Sequence, residues 1–292
     1  MVTVVLYALV VFIWGSTWLA VGFQVGVVPP EASVAYRIGS AAVCMFAWAV
    51  FRRQALRFTW RQHLLMALQG GLIFSTNFYL FYHAAAFLAT GLIAVIFSTA
   101  SAMTLLLNAL IFRRRPAVSV LSGACLGICG ICMIFARELS GFSPAAGAGP
   151  GVILSLGGTL CFSMGSIVSA RNRLAGFAVT GNTAWAMFYG TVLLTVCLFA
   201  SGKPFIFDAR LPYMISLAYL SIVGSVVAFA AYFALLERID AEKAAYATVL
   251  FPVIALSLST LFEGYRWSLT AAAGVLITLI GNVLVLKQQK KQ

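Results

Sequence analysis

The 292-residue chain is 62% hydrophobic and 9% charged, with a mean hydropathy of +1.01. Soluble domains carry roughly a quarter charged residues, so a water-soluble fold is excluded, and with it any globular enzyme or nucleotide-binding domain. A net charge of +12 would suggest nucleic acid in a soluble protein, but in a membrane protein it reflects Lys and Arg gathered on the cytoplasmic side, and no nucleic-acid partner is expected.

A helical span takes ~20 apolar residues, and apolar runs between turn and charge signals predict ten of them. The first, 3–24, has no basic segment ahead of it and is long enough to cross, so no cleavable signal peptide is expected; it carries Trp14, Ser16, Thr17 and Trp18. Glu31 falls in the connection that follows. The second span, 32–51, holds Arg37 near its outer end. Its stem either carries the guanidinium to the interface or into a structural pair, or aims it at a substrate carboxylate in the pathway. The third, 63–86, offers Asn77, Tyr79, Tyr82 and His83, the one histidine away from a span's first residue. His83 either bonds a neighbouring helix or exchanges protons.

The fourth span, 88–112, places Ser98, Ser101 and Asn108 on one face, and the fifth, 118–136, has Gly123, Gly127 and Gly130 for close helix approach. A Gly/Pro/Ser-rich linker, 138–149, divides the chain. The sixth span, 150–170, carries Ser163 and Ser166; the seventh, 180–201, Trp185 and Tyr189; the eighth, 212–236, Tyr232. The ninth, 241–262, has Tyr246 and Ser257, with Pro252 as a kink and candidate gating hinge; the tenth, 268–286, has Asn282. All six cysteines lie in apolar runs and are expected as small core residues, with neither a disulfide framework nor a metal site.

Alternating the connections between two sides puts fourteen Lys and Arg on one side and four on the other, which predicts both termini in the cytoplasm. The chain also repeats. Phe12-Ile13-Trp14-Gly15-Ser16 resembles Phe162-Ser163-Met164-Gly165-Ser166, and Gly123 and Gly130 match Gly274 and Gly281, at offsets of about 150 residues. An all-α membrane protein of ten helices is therefore expected, made of two five-helix units, 1–137 and 150–292. Five is odd, so the units are inverted, an arrangement of secondary transporters.

Trp14-Gly15-Ser16, Arg37, and Pro252 followed by Glu263 and Gly274 resemble the EamA group of the drug/metabolite transporter superfamily. The resemblance implies a ten-helix exporter in a bacterial inner membrane, working by alternating access on amino acids, aromatic or other neutral, or on related small metabolites. The first half departs from the pattern: Phe112 stands where Glu263 would repeat, and Ser101 where Pro252 would.

No acidic residue falls near the middle of a span, so ion coupling through a buried carboxylate is not expected. The candidate pathway is aromatic and hydroxyl-rich instead: Trp14, Thr17, Asn77, Tyr79, Tyr82, His83, Ser101, Ser163 and Tyr246. Belt aromatics and helix-to-helix hydroxyl bonds are the competing reading for each. No cofactor is implied. The partners are a small-molecule substrate and the lipid bilayer; a monomer is expected and a dimer stays open. Intramembrane-enzyme motifs and a P-loop are absent, while a small-solute channel and a proton-coupled drug exporter remain alternatives.

Overall fold

The computed structural model describes residues 2–113, 115–136, 148–236, 238 and 247–289, and everything regular in them is helical. The linker 138–149 lies outside the described residues except for its last two, which open a helix. The helices are α1 (Val2–Gly22), α2 (Pro30–Phe51), α3 (Trp60–Ala84), α4 (Thr90–Ile111), α5 (Val118–Ile134), α6 (Ala148–Leu174) and α7 (Val179–Ala200). Next come α8 (Leu211–Ala218, Tyr219–Val227 and Ala228–Leu236 in continuation), α9 (Ala247–Phe262) and α10 (Leu269–Gln289). Seven of these are long and apolar enough to cross a membrane, and Val118–Ile134, Leu211–Val227 and Val249–Phe262 are shorter apolar helices.

Local chemistry sets several boundaries. Pro29 and Pro30 open α2, where a fixed φ and a missing donor suit the first turn. The α3 helix starts three residues before the predicted position because Thr59 and Gln62 form a capping box, with Thr59 N–H donating to Gln62 Oε1 at 2.7 Å. At the far end of α6, Arg171 and Arg173 extend the helix to Leu174, where cations suit the negative helix end.

Two corrections follow. Glu31 is not in a connection: it lies in the first turn of α2 and is buried. Nor are the cysteines core residues: Cys125, Cys129, Cys132 and Cys197 are exposed, Cys44 and Cys161 half-buried, and all six are free. They face outward among Val43, Leu110, Ile128, Ile153 and Val196, an apolar outer surface of the kind lipid covers.

The α5–α10 pair is the most extensive packing in the molecule. A Cβ on Gly123 would meet Gly281 O at 2.6 Å, one on Gly281 would meet Gly123 O at 2.6 Å, and Gly130 and Gly274 face each other's carbonyls at 2.5 Å. The helices run antiparallel with backbones touching, and the glycines matched in sequence exchange places across the contact, as surfaces related by a two-fold do. A second correspondence lies in the third helix of each half. Both contain a wide π-type stretch, Gly70–Thr76 in α3 and Tyr219–Val227 in α8, about 150 residues apart. The first packs on α7 and the second on α2.

Contacts between distant connections define two ends of the bundle. Gln24 Nε2 donates to Tyr213 O at 2.9 Å, Tyr36 Oη to Ile206 O at 3.1 Å and Thr90 N–H to Glu263 Oε2 at 2.9 Å, which joins the connections poor in arginine. At the arginine-rich end, Gln69 Oε1 accepts from both Asn172 Nδ2 and Asn182 Nδ2 at 2.9 Å, locking α3 to α6 and α7.

Candidate substrate site

Two clusters draw on both halves of the chain. The first is an aromatic knot around Trp18 in α1. Its ring lies 5.3 Å from Phe81, 5.5 Å from Phe97 and 6.5 Å from Phe251, and Phe97 in turn lies 4.8 Å from Phe162. Helices α1, α3, α4, α6 and α9 meet there, and Pro252 is buried beside Phe251. Trp14 stands next to the knot, 5.1 Å from Tyr232, while Thr17 Oγ1 donates to Trp14 O at 2.7 Å and its methyl abuts Gly224.

The second cluster is polar and lies between α2 and α3 toward the arginine-poor end. Arg37 is 5% exposed, with its guanidinium 4.4 Å above the Phe78 ring. Snorkelling is thereby overturned, because the group stays inside. Among the described residues no carboxylate pairs with it, and its Nε has no hydrogen-bond partner. Tyr82 in α3 is electrostatically coupled to Arg37, yet its buried hydroxyl is also without a partner. One position on, His83 packs its ring edge-on to Tyr79 at 4.4 Å and leaves Nε2 buried and unpaired. Glu31 and Lys203 are the charges that act on it. Burying an unpaired charge costs several kcal/mol, and a desolvated cation–π contact returns about 2 kcal/mol. The cluster is a polar group with unfilled bonds in an apolar protein.

A strap covers it. The α7–α8 connection sets Phe205 and Phe207 against Tyr36, with ring centroids 5.0 and 5.6 Å away. Lys203 Nζ lies 2.6 Å from Glu31 Oε1, and this hydrogen bond pushes the lysine above its usual pKa. Within the strap, Arg210 holds the Asp208 carboxyl below its usual range through a side-chain bond at 2.8 Å.

The remaining candidates are placed as follows. Asn77 Nδ2 is engaged by Gly158 O at 2.8 Å and ties α3 to α6. Ser163 is fully buried and donates to Ala100 O at 3.2 Å. Ser101 is half-buried in the second part of α4. Tyr246 lies outside the described residues. Asn282 Nδ2 donates to Ser98 Oγ at 2.8 Å across α10 and α4. Thus Tyr79, Tyr82 and His83 come together with Arg37, whereas Trp14 and Thr17 belong beside the knot. Sequence reasoning missed Phe78, Phe81, Phe97, Phe162 and Phe251, since phenylalanine is as common on lipid-facing surfaces as inside. The pairing of Glu31 with Lys203, 172 positions away, left no local signal. A shallow hollow against Thr3, Val4, Tyr7 and Ala8 sits at the opposite end of α1 from the polar cluster.

The profile of the EamA-like transporter family matches this chain twice, over residues 1–136 and 149–287. The chain belongs to the EamA-like transporter family. Relatives of this EamA-like protein include PagO of Salmonella typhimurium, 23% identical over 97% of this chain and 92% of PagO. Transporter YvbV of Bacillus subtilis is 24% identical over 99% of this chain and 93% of its own length. Inner membrane transporter YedA of Escherichia coli is 26% identical over 87% of this chain and 80% of its own length. A solved crystal structure with a TM-score of 0.68 and 17% identity covers 99% of this chain and 98% of that one, so the fold is shared. This EamA-like protein is therefore a multi-pass protein of the bacterial inner membrane and a transporter-family member rather than an enzyme.

Proposed function

We propose that the protein is a secondary transporter that exports amino acids, aromatic or otherwise neutral, or related small metabolites by alternating access. Its ten helices make ten crossings in two inverted units, 1–137 and 150–292, with both termini in the cytoplasm and the strapped end facing outward. The observation that carries this reading is the reciprocal glycine contact of α5 with α10, which pairs sequence-matched positions across the two halves. The two family matches on either side of the linker support the same division.

The pathway runs between the polar cluster and the aromatic knot, where Trp14, Thr17, Asn77, Tyr79, Tyr82, His83, Ser101 and Ser163 serve the substrate, and Tyr246 is proposed for the same role. The three described carboxylates, Glu31, Asp208 and Glu263, all stand at the arginine-poor end, and Glu31 is paired with Lys203. Transport is therefore proposed to run down the substrate's own gradient, without a carboxylate relay through the bundle.

A panel of amino acids in proteoliposomes, with and without a pH gradient, tests this reading. Saturable flux with counterflow is expected; ohmic, unsaturable flux would establish a channel. Alanine at Tyr79, Tyr82 or His83 is expected to cut flux about tenfold or more while leaving the amount of folded protein unchanged. Normal flux in all three variants removes α3 from the pathway. Pro252→Ala is expected to slow turnover several-fold with little change in half-saturation, because the missing amide donor makes a local hinge in α9. Unchanged turnover would make the kink a static bend.

A further inference from the structure

We propose that Arg37 and Tyr82 form a carboxylate-binding subsite, so that the transported solute is an acid or zwitterion whose carboxylate is required for recognition. This rests on the transporter reading and adds to it the group that is recognised and the residues that recognise it.

A guanidinium inside a membrane protein normally meets a carboxylate, a row of backbone carbonyls or the lipid interface. Arg37 meets none of these among the described residues: it is buried, its Nε has no hydrogen-bond partner, and its guanidinium stacks on Phe78 beside Tyr82. A ring face attracts the cation from one side and leaves the Nε donor unused. The Tyr82 hydroxyl, buried and unpartnered, lies beside that charge. A planar fork with an unpartnered Nε and an adjacent phenol together fit a carboxylate, which can accept parallel N–H bonds from the fork and a further bond from the phenol.

Position fits as well. Arg37 and Ser40 sit one turn apart on α2, and Ser40 Oγ donates to Ser221 Oγ at 2.8 Å on the wide stretch of α8. Ser221 Oγ also reaches the Arg37 carbonyl at 3.4 Å. The backbone that carries the guanidinium is thus fixed to the second half of the protein, at the interface where the halves must shift against each other. Phe78 and Tyr79 offer rings to the body of the solute.

Glu31 is the competing internal partner. It lies six residues away on α2, and its Oε2 is buried and unpaired. In this structure its other oxygen is held by Lys203 rather than by Arg37.

The test uses the purified full chain in detergent, with ligand-induced change in melting temperature read across a panel. The probes are L-phenylalanine, L-alanine, 3-phenylpropionate, phenylalaninamide and phenethylamine. Wild-type protein is expected to be stabilised by at least one carboxylate and not by the amide or the amine. Arg37→Gln should weaken carboxylate binding by on the order of tenfold or more, as loss of a charged two-bond contact implies. Arg37→Lys, which keeps the charge if the glutamine variant does not fold, should retain part of the affinity, and Tyr82→Phe should lose several-fold.

Stabilisation by amide and amine equal to that by the acids overturns the proposal. So does the absence of stabilisation by every carboxylate, or wild-type affinity in both Arg37 variants. Recovery of binding in a Glu31→Gln/Arg37→Gln double variant also overturns it, in favour of an internal ion pair. Flux in liposomes is scored separately: carboxylate binding without saturable flux sinks the transporter reading and leaves the subsite, whereas flux of amide and acid alike does the reverse.

Discussion

Gly130→Leu is expected to prevent folded protein from accumulating in the membrane. An added Cβ at Gly130 meets Thr278 Oγ1 and the Gly274 carbonyl, and those atoms belong to a helix backbone and the bond that Thr278 makes to it. No rotamer change relieves a contact with backbone, so α5 and α10 must separate along their whole seam. Overpacking usually costs about 1–3 kcal/mol, but separating two touching helices also removes the dispersion that replaces hydrophobic drive inside a bilayer. Against a total stability of about 5–15 kcal/mol, that loss is decisive. Gly130→Ala should already lower the melting temperature markedly. Gly157→Ala is the control, since its Cβ would meet Leu80 at an ordinary 3.5 Å. Size-exclusion profiles of a fluorescent fusion measure the outcome, and a sharp monodisperse peak for Gly130→Leu would show that the seam is not needed.

The second large effect is expected at Glu263. Its carboxylate accepts from Thr90 N–H and Thr90 Oγ1, both at 2.9 Å, and from Ser259 Oγ at 2.5 Å. Ser259 in turn accepts from Gly91 N–H at 2.8 Å. Ser259 in α9 and Glu263 just beyond its end therefore satisfy the first free amides of α4, where Thr90 and Gly91 are buried. Glu263→Ala leaves those donors orphaned and should cost about 3 kcal/mol, while Glu263→Gln keeps an acceptor without the charge and should cost about half of that. The order wild type, Gln, Ala in thermal melts is the prediction, and an alanine variant as stable as wild type would sink it. The cap also bridges the halves of the chain, since α4 lies in the first and α9 in the second. Its counterpart in sequence, Phe112, is exposed and caps nothing.

Helix extents were legible to within a few residues because apolar runs and charge breaks are properties of the chain itself. The glycine offsets were legible for the same reason, and they lead to the α5–α10 contact. Other features were not legible. Hydropathy cannot tell a lipid-facing cysteine from a buried one, because lipid is as apolar as a protein core. The six cysteines were misplaced on that account. The setting of Arg37 depended on which helices surround α2, and a single sequence does not say. Glu31 reads as a turn residue until α2 is seen to begin at Pro30. Asn77, expected in the pathway, is buried but has its amide engaged by a neighbouring helix. Tyr82 and His83 stood out by chemistry alone, and their unsatisfied atoms are visible only in three dimensions.

The widened turns of α3 and α8 have a consequence for comparing this chain with its relatives. A π-type stretch takes up about one residue more than plain α-helix over the same rise, which turns everything beyond it by ~100°. A single helical wheel drawn through Gly70–Thr76 therefore misplaces the residues beyond it, whereas in the structure Gln69 before the stretch and Asn77 after it both bond to α6. An alignment that keeps inward positions matched needs a one-residue gap at Gly70–Thr76 and another at Tyr219–Val227 wherever a relative winds those turns as ordinary α-helix.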